Sequence, residues 1–66
     1  MRVMINGKSE PVDDGLPLDD LLRSRKLDPA CVVAELNGAI IGKEAYASTR
    51  LSAGDRLELV HFVGGG

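Results

Sequence analysis

From position 59 to position 66 the sequence has no charged side chain, and it closes on Gly64, Gly65 and Gly66. Glycine has no β-carbon; it neither extends a helix or strand cheaply nor buries apolar surface. A folded domain ending this way is expected to project a narrow strip whose one reactive group is the Gly66 carboxylate. A carboxylate is a poor acyl donor until it is activated, for instance as an acyl-adenylate. Gly64 and Gly65, without side chains, suit threading through a partner's narrow channel, and Gly66 then offers an unhindered acyl carbon to a bound nucleotide. The alternative is a frayed terminus. Three glycines directly after an apolar last strand, in a short hairpin-and-helix chain, favour the chemical reading.

The residues before the glycines carry the next candidates. Alternation along residues 56–62 puts Leu57 and Leu59 on one face and Glu58, Val60 and Phe62 on the other. If the helix covers the leucine face, Val60 and Phe62 stand exposed beside the tail and are expected to dock a partner. His61 falls at the end of the leucine face. It is expected to be a structural, half-exposed histidine, with tuning of docking as the alternative. The sequence has one His and one Cys, so no metal site is expected. Cys31 admits two roles, a sulfur relay or a small apolar filler. No basic residue lies beside it to favour a thiolate, and the filler is the expectation. Asp13, Asp14, Asp19 and Asp20 form an acidic region that a basic partner could meet, but a solvated surface accounts for them. No nucleophile with a base, no carboxylate pair at catalytic spacing and no phosphate loop is found; no helix follows Gly64–Gly66 to make a phosphate cradle of them. No catalytic residue is expected, and no enzyme.

The elements that must position this end can be read from the hydrophobic pattern. Residues 2–6 form a short apolar strand, and Asn6-Gly7 is a two-residue hairpin signal because both positions tolerate positive φ. Residues 8–12 return as a second strand, which Pro11 confines to an edge or an end. Leu18, Leu21, Leu22 and Arg25 recur at helical spacing, and a helix is expected over 18–26, with Pro17 in its first turn and Asp28-Pro29 stopping it. Asp19 and Asp20 sit near its positive start, and Arg23, Arg25 and Lys26 near its negative end. Residues 31–36 form a third strand, Asn37-Gly38 a second hairpin turn, and residues 39–41 a fourth strand. Residues 43–48 form one helical turn, residues 52–55 a turn, and residues 56–62 the last strand. One helix on one face of a mixed sheet buries both apolar faces economically, which makes the fold class α+β.

Size and composition exclude much else. At 66 residues the chain is one domain, and a domain of this size buries only ~60% of its unfolded surface. Little room remains for an enclosed active site. The composition is that of a globular chain, 44% hydrophobic and 27% charged, with a net charge of −2 and one Tyr and one Phe. No basic patch or aromatic platform recommends a nucleic acid. No apolar run reaches the ~18 residues of a membrane span, and residues 1–7 lack a signal-peptide core. A lone cysteine forms no internal disulfide, which points to the cytoplasm.

Ile5-Asn6-Gly7, Leu21-Leu22, Glu35-Leu36-Asn37-Gly38, Ile40-Ile41, the run from Gly54-Asp55 to Val60, and His61-Phe62-Val63-Gly64-Gly65-Gly66 together resemble the ThiS/MoaD family of prokaryotic ubiquitin-like sulfur carriers, most closely its ThiS branch. The resemblance covers essentially the whole chain. Terminal glycines are shared by all ubiquitin-like carriers; the Asn-Gly hairpin, the Gly-Asp turn and the His-Phe-Val-Gly-Gly-Gly ending are more specific. The resemblance implies a ubiquitin-like β-grasp domain over 1–63 and a flexible glycine tail over 64–66. It also implies a sulfur carrier protein of thiamine (thiazole) biosynthesis. An E1-like adenylyltransferase (ThiF type) would use ATP and Mg to adenylate Gly66. A sulfur donor such as a cysteine desulfurase would convert it to a thiocarboxylate, and thiazole synthase (ThiG type) would accept the sulfur. The carrier itself would bind no cofactor and would be a monomer when free. Two positions depart from the family pattern: Pro17 stands where many relatives have Thr or Ser before the helix, and Gly42-Lys43 where relatives often have Pro-Arg.

Other functions fit the same ending. A carrier for molybdopterin, cysteine synthesis or tRNA thiolation shares it, although molybdopterin carriers tend to be longer. A covalent protein modifier would use Gly66 in isopeptide bonds. A plain β-grasp binding module would not need Gly65 and Gly66 at all.

Overall fold

The computed structural model describes residues 1–62 of the chain. Strand β1 (Arg2–Ile5) turns into β2 (Lys8–Pro11); helix α1 (Leu18–Ser24) follows; then come β3 (Val32–Leu36), β4 (Ala39–Ile41) and β5 (Arg56–His61). The five strands make one sheet in the order β2-β1-β5-β3-β4. β5 lies at its centre, parallel to β1 and antiparallel to β3. Both hairpins are therefore arranged around the last strand, and β2, ending on Pro11, is an edge as its missing N–H requires.

Both Asn-Gly turns form. Asn6 and Gly7 have φ of 50° and 83°, and Asn37 and Gly38 have 52° and 87°, the left-handed pair of a tight hairpin. The asparagines also do something the turn rule does not require. The Asn6 side-chain oxygen accepts from the Leu59 N–H at 2.8 Å, and that of Asn37 accepts from the Arg56 N–H at 2.9 Å. Each turn thus grips β5.

The inner face of the sheet supplies Val3, Ile5, Val32, Ala34 and Leu57, and α1 supplies Leu18, Leu21 and Leu22. Tyr46 and Leu51, from the segment between β4 and β5, complete this buried cluster. Burying Tyr46 requires a partner for its hydroxyl, which donates to the Val32 carbonyl at 2.7 Å.

The helix is shorter than its periodicity predicts. It ends at Ser24 because Lys26 adopts φ 62°. The Leu27 N–H then reaches the Leu22 carbonyl at 2.9 Å and the Lys26 N–H the Arg23 carbonyl at 2.9 Å, the paired bonds of a Schellman stop. Lysine in place of the usual glycine hides that stop from a sequence reading. Pro17 is the N-cap rather than a first-turn residue, and no side chain caps the helix. The Thr49 carbonyl takes the Leu18 N–H at 2.8 Å and the Tyr46 carbonyl the Asp19 N–H at 3.3 Å, so the N–H that a Ser or Thr cap could take already has a partner. Cys31 is not part of the third strand, which begins at Val32. Asp28 accepts from the Ala30 N–H at 2.9 Å and folds Pro29–Cys31 into a 3₁₀ turn. The helical turn expected over 43–48 is a 3₁₀ turn, Lys43–Ala45.

Candidate functional site

The candidate site is the end of β5, and the strand is supported unevenly along its length. On its β1 side, the Met4 N–H donates to the Asp55 carbonyl at 2.8 Å and the Asn6 N–H to the Leu57 carbonyl at 2.9 Å. The Asn6 side chain then reaches Leu59. The pairing with β1 covers Arg56 and Leu57 only. On its other side β5 stays in register with β3 up to His61 opposite Val32, and the Phe62 N–H extends that ladder to the Cys31 carbonyl at 3.0 Å. The strand is thus clamped from both sides as far as Leu59 and held by β3 beyond it.

Facing follows the alternation in the sequence. Leu57 is buried and Leu59 half-buried against the core, while Val60 is 62% and Phe62 43% exposed. Val33, at 39% exposure, lies directly across from Val60. Sequence reasoning missed Val33. Its signal is the alternation of Val32 and Val33, which means little until the register pairs Val33 with Val60. The outer face changes character one pair further from the tail, where Glu35 stands opposite Glu58, a like-charge pairing that does not favour the sheet. An apolar patch of Val33, Val60 and Phe62 therefore adjoins the chain's end, and a charged surface lies behind it. Ile40 and Met4 are also exposed on this side, but they sit in β4 and β1 opposite Glu35 and Arg56.

The remaining candidates separate from the patch or support it. His61 is exposed. Cys31 is half-buried at the end of the 3₁₀ turn, with its sulfur 4.0 Å from an Asp28 carboxylate oxygen and no cation beside it in the bonds it makes. Asp19 is engaged by Arg23 at 2.8 Å, and Asp20 lies 3.9 Å from the same guanidinium, as surface pairs along the helix. Among the described residues, no group of three or more His, Cys, Asp or Glu could hold a metal ion, and no helix is long and apolar enough to cross a membrane. The expected threading residues Gly64 and Gly65 and the expected acyl residue Gly66 lie outside the described residues.

A mixed sheet with its last strand at the centre, one covering helix and a bare apolar patch at the chain's end defines a ubiquitin-like β-grasp protein. The comparisons with known proteins are narrower. The model of the ThiS family matches residues 3–66. The sulfur carrier protein ThiS of Bacillus subtilis (strain 168) is 43% identical over 65 residues, which is 97% of this chain and 98% of that protein. The crystal structure of a thiamine biosynthesis protein (ThiS) from Geobacter metallireducens superposes with a TM-score of 0.84 at 36% identity, covering all of both chains. A thiazole synthase of Magnetococcus marinus is 33% identical over 66 residues, and one of Paramagnetospirillum magneticum 35%; the chain spans 20% of the length of each. The chain belongs to the ThiS family, the small sulfur carriers of thiamine biosynthesis. Such a protein is a carrier rather than a catalyst.

Proposed function

We propose that the chain carries sulfur on the carboxylate of Gly66. An E1-like adenylyltransferase (ThiF type), using ATP and Mg, joins AMP to that carboxylate and releases pyrophosphate. A sulfur donor such as a cysteine desulfurase supplies a persulfide whose outer sulfur attacks the acyl-adenylate and displaces AMP; a thiol reductant then cleaves the S–S bond of the resulting acyl disulfide, leaving a thiocarboxylate. Thiazole synthase (ThiG type) takes this sulfur into the thiazole and returns the carboxylate. The chain contributes no catalytic residue and binds no cofactor of its own. It works in the cytoplasm as a monomer between encounters. The observation that carries the reading is the extent of the family match, which runs through Gly64, Gly65 and Gly66. The acceptor is supported by the two thiazole synthases that contain a region similar to the whole of this chain.

The patch of Val33, Val60 and Phe62 is the docking surface in this reading, and its distance from the reacting atom is bounded. Residues 63–66 span at most ~14 Å even when fully extended, at ~3.3–3.6 Å per residue. A partner seated on Val60 and Phe62 must therefore hold its nucleotide within that radius of Phe62. Gly64 and Gly65 fit such a path because a β-carbon would widen it.

Intact-mass spectrometry tests the proposal. The protein is incubated with its host's activating enzyme, ATP, Mg and a sulfide source. The expected result is a mass gain equal to replacing one oxygen by sulfur, localised to Gly66 and lost when Gly66 is deleted. An unchanged mass beside an active enzyme contradicts the carrier reading and leaves a plain binding module. Ladders of conjugates on lysines would instead mark a protein modifier.

A further inference from the structure

The Lys43 side chain crosses from the 3₁₀ turn after β4 to the end of β5. Its ammonium donates to the Val32 carbonyl at 3.1 Å, the same carbonyl that takes the Tyr46 hydroxyl. From there it lies 5.5 Å from the centre of the Phe62 ring and 6.0 Å from that of Tyr46. This carbonyl is open to side chains because β4 pairs with β3 no further than Ile41 opposite Ala34. The cation is thus fixed at one end by a buried carbonyl and a buried ring, and offers its other side to an exposed one. Phe62 is held twice, by its backbone to Cys31 at 3.0 Å and by its ring against Lys43. It is also the last residue before the stretch that must reach a partner.

We infer that Lys43 is a positioning residue for the docking patch. It holds the Phe62 ring in the orientation that a partner meets. The inference rests on the carrier reading above. A ring set in one orientation lowers the conformational entropy lost on docking. A loosened ring meets that loss at binding, so its effect falls on KM and spares the chemical step. The cation, rather than the lysine itself, is what the geometry requires. Arginine reaches a carbonyl and lies over an aromatic ring equally well.

The test compares wild type, Lys43→Met and Lys43→Arg in two assays. In the first, steady-state adenylation by the activating enzyme is followed by pyrophosphate release. Lys43→Met is expected to raise KM for the carrier about 2- to 5-fold, the size of one partly exposed cation–ring contact. Its kcat should stay within about 2-fold, and Lys43→Arg should restore KM. In the second, NMR of the free protein reads the Lys43 side-chain protons, which the Phe62 and Tyr46 rings should shift upfield. The Phe62→Leu variant should lose part of that shift without a change in melting temperature. An unchanged KM in Lys43→Met, or a raised KM that arginine does not rescue, overturns the inference. So does a lysine signal that ignores Phe62→Leu. Failure of wild type to be adenylated would count against the carrier reading alone, and the NMR assay would still decide whether Lys43 holds Phe62.

Discussion

The two halves of β5 are built for different purposes. Around Leu57 the strand is gripped from both sides, faces a closed core and is tied to both hairpin turns through Asn6 and Asn37. From Val60 onward its support comes from β3, and its side chains are exposed. A strand that served stability alone would keep both neighbours to its end. Here the half gripped from both sides anchors the other, which leaves its apolar side chains exposed.

Substitutions in the two halves should therefore fail in different assays. The largest effect is expected from Leu57→Ala, which empties a site 1% exposed in the core. It should cost ~2–5 kcal/mol of stability in urea unfolding, and partner activity should fall only as the folded fraction falls. Val60→Asp should do the opposite. Its stability should change by at most ~1 kcal/mol, while KM for the activating enzyme rises about 10-fold or more, as for a residue near the centre of an interface. If Val60→Asp unfolds the protein, or leaves KM unchanged, the division of the strand is wrong.

Asn6→Gly sharpens the comparison at the boundary between the halves. Glycine suits the turn's φ of 50° but has no oxygen for the Leu59 N–H. A loss of ~0.5–1.5 kcal/mol in urea unfolding is expected, with faster amide exchange at Leu59. No loss would mean the asparagine serves the turn alone. The smallest effect lies away from the strand. Gly42 has φ −67° and ψ 146°, which proline adopts without strain, and the atoms crowding a new β-carbon there belong to the mobile end of Glu44. Gly42→Pro should raise stability by ~0.4–1 kcal/mol through the unfolded state, visible as a higher melting temperature and no change in KM.

The sequence makes legible the features that obey local rules. Asn-Gly pairs, the leucine spacing of α1 and the alternation of β5 each mark a turn, a helix and a face from neighbouring residues. What it hides are contacts between distant positions. The Asn6 side chain meets a residue 53 positions away, Val33 joins the patch through sheet register, and Lys43 meets Phe62 across the end of the sheet. Tyr46 and Leu51 look like loop residues until the core closes over them. The helix end was misplaced for a local reason of another kind: Lys26 takes a left-handed conformation that its side chain does not advertise.

Whether a partner meets the outer face at the end of β5 is read by titrating isotope-labelled protein with the activating enzyme, ATP withheld, and following each amide by NMR. The strongest perturbations are expected on Val33, Val60 and Phe62, fading toward Glu35 and Glu58. Perturbations centred instead on the exposed side of α1, at Asp20 and Arg23, would contradict docking at that face.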